Sequence, residues 1–248
     1  MAETTFYTLI DNLEHYLEYQ RDEGIQRIEV DHTVLAELAK PLKIAQTIAP
    51  QEVSIPENFN SLEALAAHVS TCRNCPLHQS RTKTVPGEGK THSPDILFIG
   101  EEPNAEEDAQ GRPFVGPAGQ LLTKMIEAMG YTREEIFILN ALKCRPPNNR
   151  MPRSTEMEKC LPYLRQQIAL LKPKIIVGMG ATAIKCLLGK TSGIIRLRGT
   201  WQDYEGIKLM PTFHPTYLLR NPSKKKEVWQ DLQLVLKELG KKPPQRKQ

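Results

Sequence analysis

A chain of 248 residues, 40% hydrophobic and 25% charged, has the composition of an ordinary globular protein with room for one sizeable domain and an appendage. No apolar run approaches the roughly 20 residues a membrane helix needs, and the acidic start MAETTFYTLIDNLEHYLEYQ lacks the basic-then-apolar order of a signal peptide. The net charge of +4 is unevenly spread: residues 1–60 carry four Lys/Arg against eleven Asp/Glu, and the remainder carries 29 against 18, so a basic body that suits a polyanionic partner follows an acidic leader.

In chain order, Phe6, Leu9, Leu13, Tyr16 and Leu17 recur at helical spacing, and Asp31 is placed to cap a short helix through Val34, Leu35 and Leu38. Pro41, Pro50 and Pro56 then punctuate a linker, so residues 1–58 form an extension, 59–240 the body and 241–248 a basic tail. Asn60 and Glu63 form a candidate capping box for a helix carrying Leu62, Leu65 and Val69. Beyond it, strand patterns over 96–99, 136–139, 175–177 and 209–213 alternate with helical patterns over 119–129, 155–171 and 182–188, and a last helix follows over 227–239. This alternation predicts an α/β fold: a three-layer αβα sandwich around a mainly parallel four-stranded sheet, with a small N-terminal helical extension.

Ligands of such sheets bind beyond the carboxyl ends of the strands. There the sequence places Gly100, Glu101, Glu102 and Pro103 after the first strand, Asn140 at the end of the second, GMGAT after the third, and His214 after the fourth. Two acids, an amide, a glycine turn and an imidazole on one rim can bind and cleave a polar ring. The GMGAT turn does not complete GxGxxG, which argues against a nucleotide cofactor.

Five cysteines in a chain expected in the cytoplasm point to metal binding, catalysis or burial rather than disulfides. Cys72 and Cys75 form a C-x-x-C pair, Cys144 lies in KCRPP, and Cys160 follows sixteen residues later. Four thiolates from such elements fit zinc or an iron–sulfur cluster, and spacing alone does not choose. Cys186, in AIKCLLG, reads as core.

GEEPNAEEDAQGRPFVGPAGQLL, LNALKCRPPNNRMP and HPTYLLRNPS resemble the family 4 uracil-DNA glycosylases, the iron–sulfur members of their superfamily, and the likeness runs from about residue 62 to 239. It implies a structural [4Fe–4S] cluster on Cys72, Cys75, Cys144 and Cys160. It further implies a uracil pocket from Gly100, Glu101, Glu102, Phe114, Asn140 and His214. Phe114 would stack on the flipped base, Asn140 would read its edge, and His214 would donate to the 2-carbonyl as negative charge grows there. Glu101 occupies the family's acid position and, with Glu102 and His214, forms the expected catalytic set. Glu102 and Asn104 depart from the family's G-E-G/A-P-G pattern, which leaves the water-handling carboxylate open between Glu101 and Glu102. Glu107 or Asp108 is the candidate wall against thymine's methyl.

Leu218 and Leu219 resemble the superfamily's intercalating loop, with Arg220, Lys224, Lys225 and Lys226 available to phosphates. The expected protein is a monomer at the nucleoid acting on uracil in single- or double-stranded DNA. The leader, outside the resemblance, could engage a repair or replication protein. Non-catalytic damage sensing and covalent trapping are the competing readings; trapping relatives carry a histidine-containing insertion that LKCRPPNNRMP lacks.

Overall fold

The computed structural model describes residues 55–56, 58–189 and 193–244, with Leu13, Leu17 and Thr33 alone in the leader. The chain divides into two compact units, Met1–Glu52 and Val53–Gln248. Leu13 and Leu17 are helical and exposed. The rest of the two expected leader helices, most of the linker and the tail from residue 245 lie outside the described residues.

The second unit is organised by its apolar runs. Strands β2 (Ile96–Gly100), β3 (Phe137–Asn140), β4 (Ile175–Met179) and β6 (Ile207–Thr212) lie parallel in the order β3-β2-β4-β6. The first three are buried along their whole length, as strands covered by helices on both faces must be. Their side chains alternate between two cores. Ile96, Phe98, Ile138 and Val177 pack with helices α3 (Gly116–Ala128) and α8 (Lys225–Glu238). Leu97, Ile99, Leu139 and Ile176 pack with α4 (Ser154–Leu171) and α5 (Ala181–Leu188). These two cores make the three-layer αβα sandwich. A third cluster, Leu65, Val69 and Tyr163, fastens α1 (Leu62–Thr71) onto α4.

The sheet has six strands among the described residues, not four. β1 (Glu88–Gly89) and β5 (Gln202–Tyr204) pair antiparallel at its two edges. At two and three residues, they are too short and polar for a periodic signal, which is also how edges resist pairing with other chains. The cap of α1 falls one residue later than expected: Ser61, not Asn60, accepts the Ala64 N–H at 3.1 Å. Leu65 and Val69 of this helix pack with Tyr163.

Three short helices carried no periodic signal: α2 (Ala105–Gln110), α6 (Ile194–Leu197) and α7 (Pro215–Arg220). The first is almost wholly polar, and the third replaces the loop expected after His214. There Pro215 sits where a helix tolerates a missing N–H, and His214 supplies the cap. No helix among the described residues is long and apolar enough to cross a membrane.

Candidate active site and cysteine cradle

From β2 the chain moves outward to β3 and then crosses back over β2 to β4. That reversal opens a crevice at the carboxyl end of β2, where open α/β sheets bind ligands. Gly100 lies in this crevice. A side chain there would strike the Phe114 ring and, at 2.5 Å, the Asn140 Oδ1, so only glycine lets the ring and the amide close over the strand end.

Phe114 holds a left-handed backbone (φ 51°), which a non-glycine residue adopts at a cost of about 1–3 kcal/mol. Its neighbours enforce that conformation. The Phe114 N–H donates to Glu107 Oε1 at 2.9 Å, and Arg133 donates to the carbonyls of Pro113 (2.9 Å) and Phe114 (3.3 Å). Arg133 is itself held by Glu88 of β1 at 2.7 Å, so this edge strand braces the aromatic loop.

Glu107 links the ring to the amide. Its Oε2 accepts from Asn140 Nδ2 at 2.9 Å and from the Asn104 N–H at 3.3 Å. The Asn104 Oδ1 in turn caps α2 by accepting from the Glu106 and Glu107 N–H groups. Burial pushes the Glu107 carboxyl up to about 7, although its hydrogen bonds with Asn104, Asn140 and Phe114 favour the ionised form. With one Nδ2 hydrogen on Glu107, the Asn140 amide has its orientation set. Asp108, the other candidate for the pocket wall, instead accepts the Thr82 N–H at 2.9 Å and ties down the segment before β1.

The two acids after Gly100 differ. Glu101 Oε1 accepts the Thr182 N–H at 3.0 Å, at the N-terminus of α5. A side chain at Gly180 (φ 93°) would lie 2.5 Å from that oxygen, so the carboxylate seats against a glycine turn. Glu102 has one carboxylate oxygen, Oε2, buried without a hydrogen-bond partner. Burial, then the charges of Glu101 and Glu107, hold its pKa well above the carboxylate range.

His214 lies with its ring centroid 5.5 Å from that of Phe114. Its Nδ1 accepts the Thr216 N–H at 3.2 Å, so in the neutral ring Nε2 carries the hydrogen and can donate. Burial lowers its pKa, keeping the ring neutral. The strand delivering it is locked two residues earlier, where Thr212 donates to Asp231 at 2.7 Å and Asp231 is gripped by Arg198.

The Leu218/Leu219 pair is split by α7. Leu218 is 1% exposed and packs in the core, which corrects its assignment as a wedge; Leu219 is 43% exposed. Arg220, Lys225 and Lys226 are exposed, whereas Lys224 pairs with Glu227 at 2.8 Å.

Cys72, Cys75, Cys144 and Cys160 line one small cavity with Arg81, Lys143 and Tyr163. Burial pushes the Cys75 thiol up to about 11 and also raises Cys144 and Cys160. Arg81 opposes this at Cys144, donating to its sulfur at 3.0 Å and to the Cys72 carbonyl at 2.9 Å. Among the described residues, no three His, Cys, Asp or Glu side chains are grouped as one metal ion requires. Cys186 is partly buried against the second core.

The sequence reading missed Arg81, Lys143 and the clamp of Glu107 on Asn140. Only the clamp left a trace, in the N-x-x-E capping pattern at Asn104.

An aromatic face, a fixed amide and an imidazole N–H thus meet at one strand-end crevice, the equipment of a protein that holds a single extruded base. Residues 86–233 match the family model described as the uracil DNA glycosylase superfamily. A type-4 uracil-DNA glycosylase of Thermotoga maritima is 47% identical over 164 residues, 65% of this chain and 85% of that protein. One from Sulfurisphaera tokodaii is 44% identical over 186 residues, 71% and 84% of the two chains. A type-5 enzyme of Pyrobaculum aerophilum is 26% identical over 141 residues, 50% of this chain and 62% of that protein. The chain belongs to the uracil-DNA glycosylase superfamily, in its type-4 branch.

Proposed function

We propose that this chain is a monofunctional uracil-DNA glycosylase, which extrudes uracil from single- or double-stranded DNA and hydrolyses its N-glycosidic bond. The clamp of Glu107 on Asn140, beside Phe114 and His214, is the observation that carries this. With its amide fixed, Asn140 donates its second Nδ2 hydrogen to the 4-carbonyl and accepts the imide N–H at Oδ1. Cytosine presents the opposite pattern and would leave those groups unpaired. Phe114 stacks on the ring, worth about 1–3 kcal/mol. As the C1′–N1 bond breaks, its electron pair stays with the base, and His214 Nε2–H donates to the 2-carbonyl where charge collects. Water adds to the sugar carbon, and its proton passes to Glu101 or Glu102. Leu219 fills the vacated stack, and Arg220 meets the backbone.

The four cysteines suit a [4Fe–4S] cluster. In a cluster each thiolate binds a different iron, so the sulfurs stand farther apart than around one zinc ion. Four cysteines lining one cavity support a thiolate-held group there. The cluster would cross-link α1, the segment after β3, and α4. The proposal extends to a monomer at the nucleoid whose acidic leader engages a repair or replication protein.

The test is release of free uracil from a uracil-containing oligonucleotide by purified, iron-loaded protein, and its loss in Asn140→Ala and His214→Ala. Folded, loaded protein that releases nothing rejects the reading. Uracil-selective binding without product would favour damage sensing, and a denaturation-resistant adduct would favour trapping. Iron and sulfide analysis, with brown absorbance, separates a cluster from zinc.

A further inference from the structure

A lysine with no exposed surface lies between the two sites. Lys143 is 0% exposed, and an ammonium so placed is costly unless opposite charge and hydrogen-bond acceptors surround it. Its Nζ donates to the backbone carbonyl of Asn140 at 2.5 Å. Its side chain lines the cavity formed with Cys72, Cys75, Cys144 and Cys160. Neutral thiols would leave the ammonium uncompensated, whereas four thiolates on an iron–sulfur cluster supply net negative charge at that place.

Resting on the cluster and uracil readings above, we propose that Lys143 is a positioning residue that ties the base-reading strand end to the cluster. The cluster's charge holds the ammonium, and the ammonium holds the Asn140 peptide. Asn140 is thereby fixed from two directions, at its side chain by Glu107 and at its carbonyl by Lys143. The cluster then helps to order the pocket without touching the substrate.

The experiment uses iron-loaded full-length protein and compares Lys143→Met, Asn140→Ala and the double variant. Two quantities are read: the cluster's midpoint potential and the single-turnover rate of uracil release. Loss of a nearby cation disfavours an added electron, so Lys143→Met should shift the potential to a more negative value. Its rate should fall at least tenfold. Because Lys143 acts through Asn140, adding Lys143→Met to Asn140→Ala should cost less than a further threefold, whereas a general loosening would add its whole factor.

A potential and a rate both within twofold-equivalent error of the unmodified protein, or a full tenfold penalty on top of Asn140→Ala, would overturn the proposal. If Lys143→Met does not fold, Lys143→Gln serves, since it keeps a donor and loses the charge: a negative shift supports the link, and an unmoved potential overturns it. Unmodified protein without iron, or uracil release undiminished by Asn140→Ala, would instead overturn the parent reading and this inference with it.

Discussion

The base-reading rim and the cysteine cradle are joined by the segment from Asn140, which ends β3, to Cys144, but they are held in different ways. The rim is fixed by the protein's own hydrogen bonds. Glu107 alone takes donors from Asn104, Phe114 and Asn140, Arg133 locks the aromatic loop, and Thr216 sets the tautomer of His214. Four cysteines line a cavity, with Arg81 donating to the Cys144 sulfur and to the Ser70 and Cys72 carbonyls. A rim of this kind is preorganised before substrate arrives, which is what stabilising developing charge requires. On the cluster reading proposed above, the cradle would be completed by what it binds, and its stability would belong to the bound group.

The largest expected effect breaks the cradle. Cys160→Ala removes one thiolate from the cavity, and the protein should lose its iron and visible absorbance. Stability should fall by about 4–5 kcal/mol, the range reached when a structural metal site is lost. Chemical denaturation alongside iron analysis checks this; a variant that loses iron but unfolds at the same denaturant concentration would show the cradle to be self-supporting. Next, Asn140→Ala breaks the rim while leaving the cradle loaded. Uracil release should fall by about 10²–10³-fold, the usual penalty for deleting a donor preorganised toward developing charge, with iron content unchanged.

The contrast between the regions also explains what could be read before the fold was known. The four central strands stand out as apolar runs, three of them buried along their whole length, and their carboxyl ends lead to Gly100, Asn140, Gly180 and His214. The cysteines were visible from their chemistry alone. What stayed hidden depends on residues far apart in the chain. Glu107 and Asn140 are 33 positions apart, and nothing local marks them as partners. Lys143, between an apolar residue and a cysteine, looks like a surface lysine until the fold closes over it. Leu218 and Leu219 look equivalent in sequence, and only the turn of α7 sends one into the core and the other into solvent.

That last distinction gives a smaller effect. Leu219→Ala should slow excision from double-stranded DNA about tenfold, or about 1.4 kcal/mol. Excision from single strands, where no stack must be held open, should change little. Leu218→Ala should instead lower stability by about 2–5 kcal/mol, as for a buried leucine. Equal losses on both substrates in Leu219→Ala would sink the wedge assignment.

The smallest effect tests whether the rim's rigidity has a cost of its own. Glu107 titrates near 7 in the folded protein and near its ordinary value of 4.5 when unfolded. Between those values the folded state binds the extra proton, so stability should fall as pH rises through 7. Between pH 6 and pH 8 this amounts to about 1 kcal/mol. Glu107→Gln removes the titration, so its stability relative to the unmodified protein should improve by that amount over the same interval. A difference that does not move with pH would mean that burial is not straining the carboxylate. Activity should run the other way. The ionised carboxylate accepts from Asn140, Phe114 and Asn104 at once, and an added proton at Oε2 would oppose the Asn140 amide. The pocket is therefore best ordered on the side of pH 7 where the fold is slightly weaker, because the charge that orients the amide is one the interior resists.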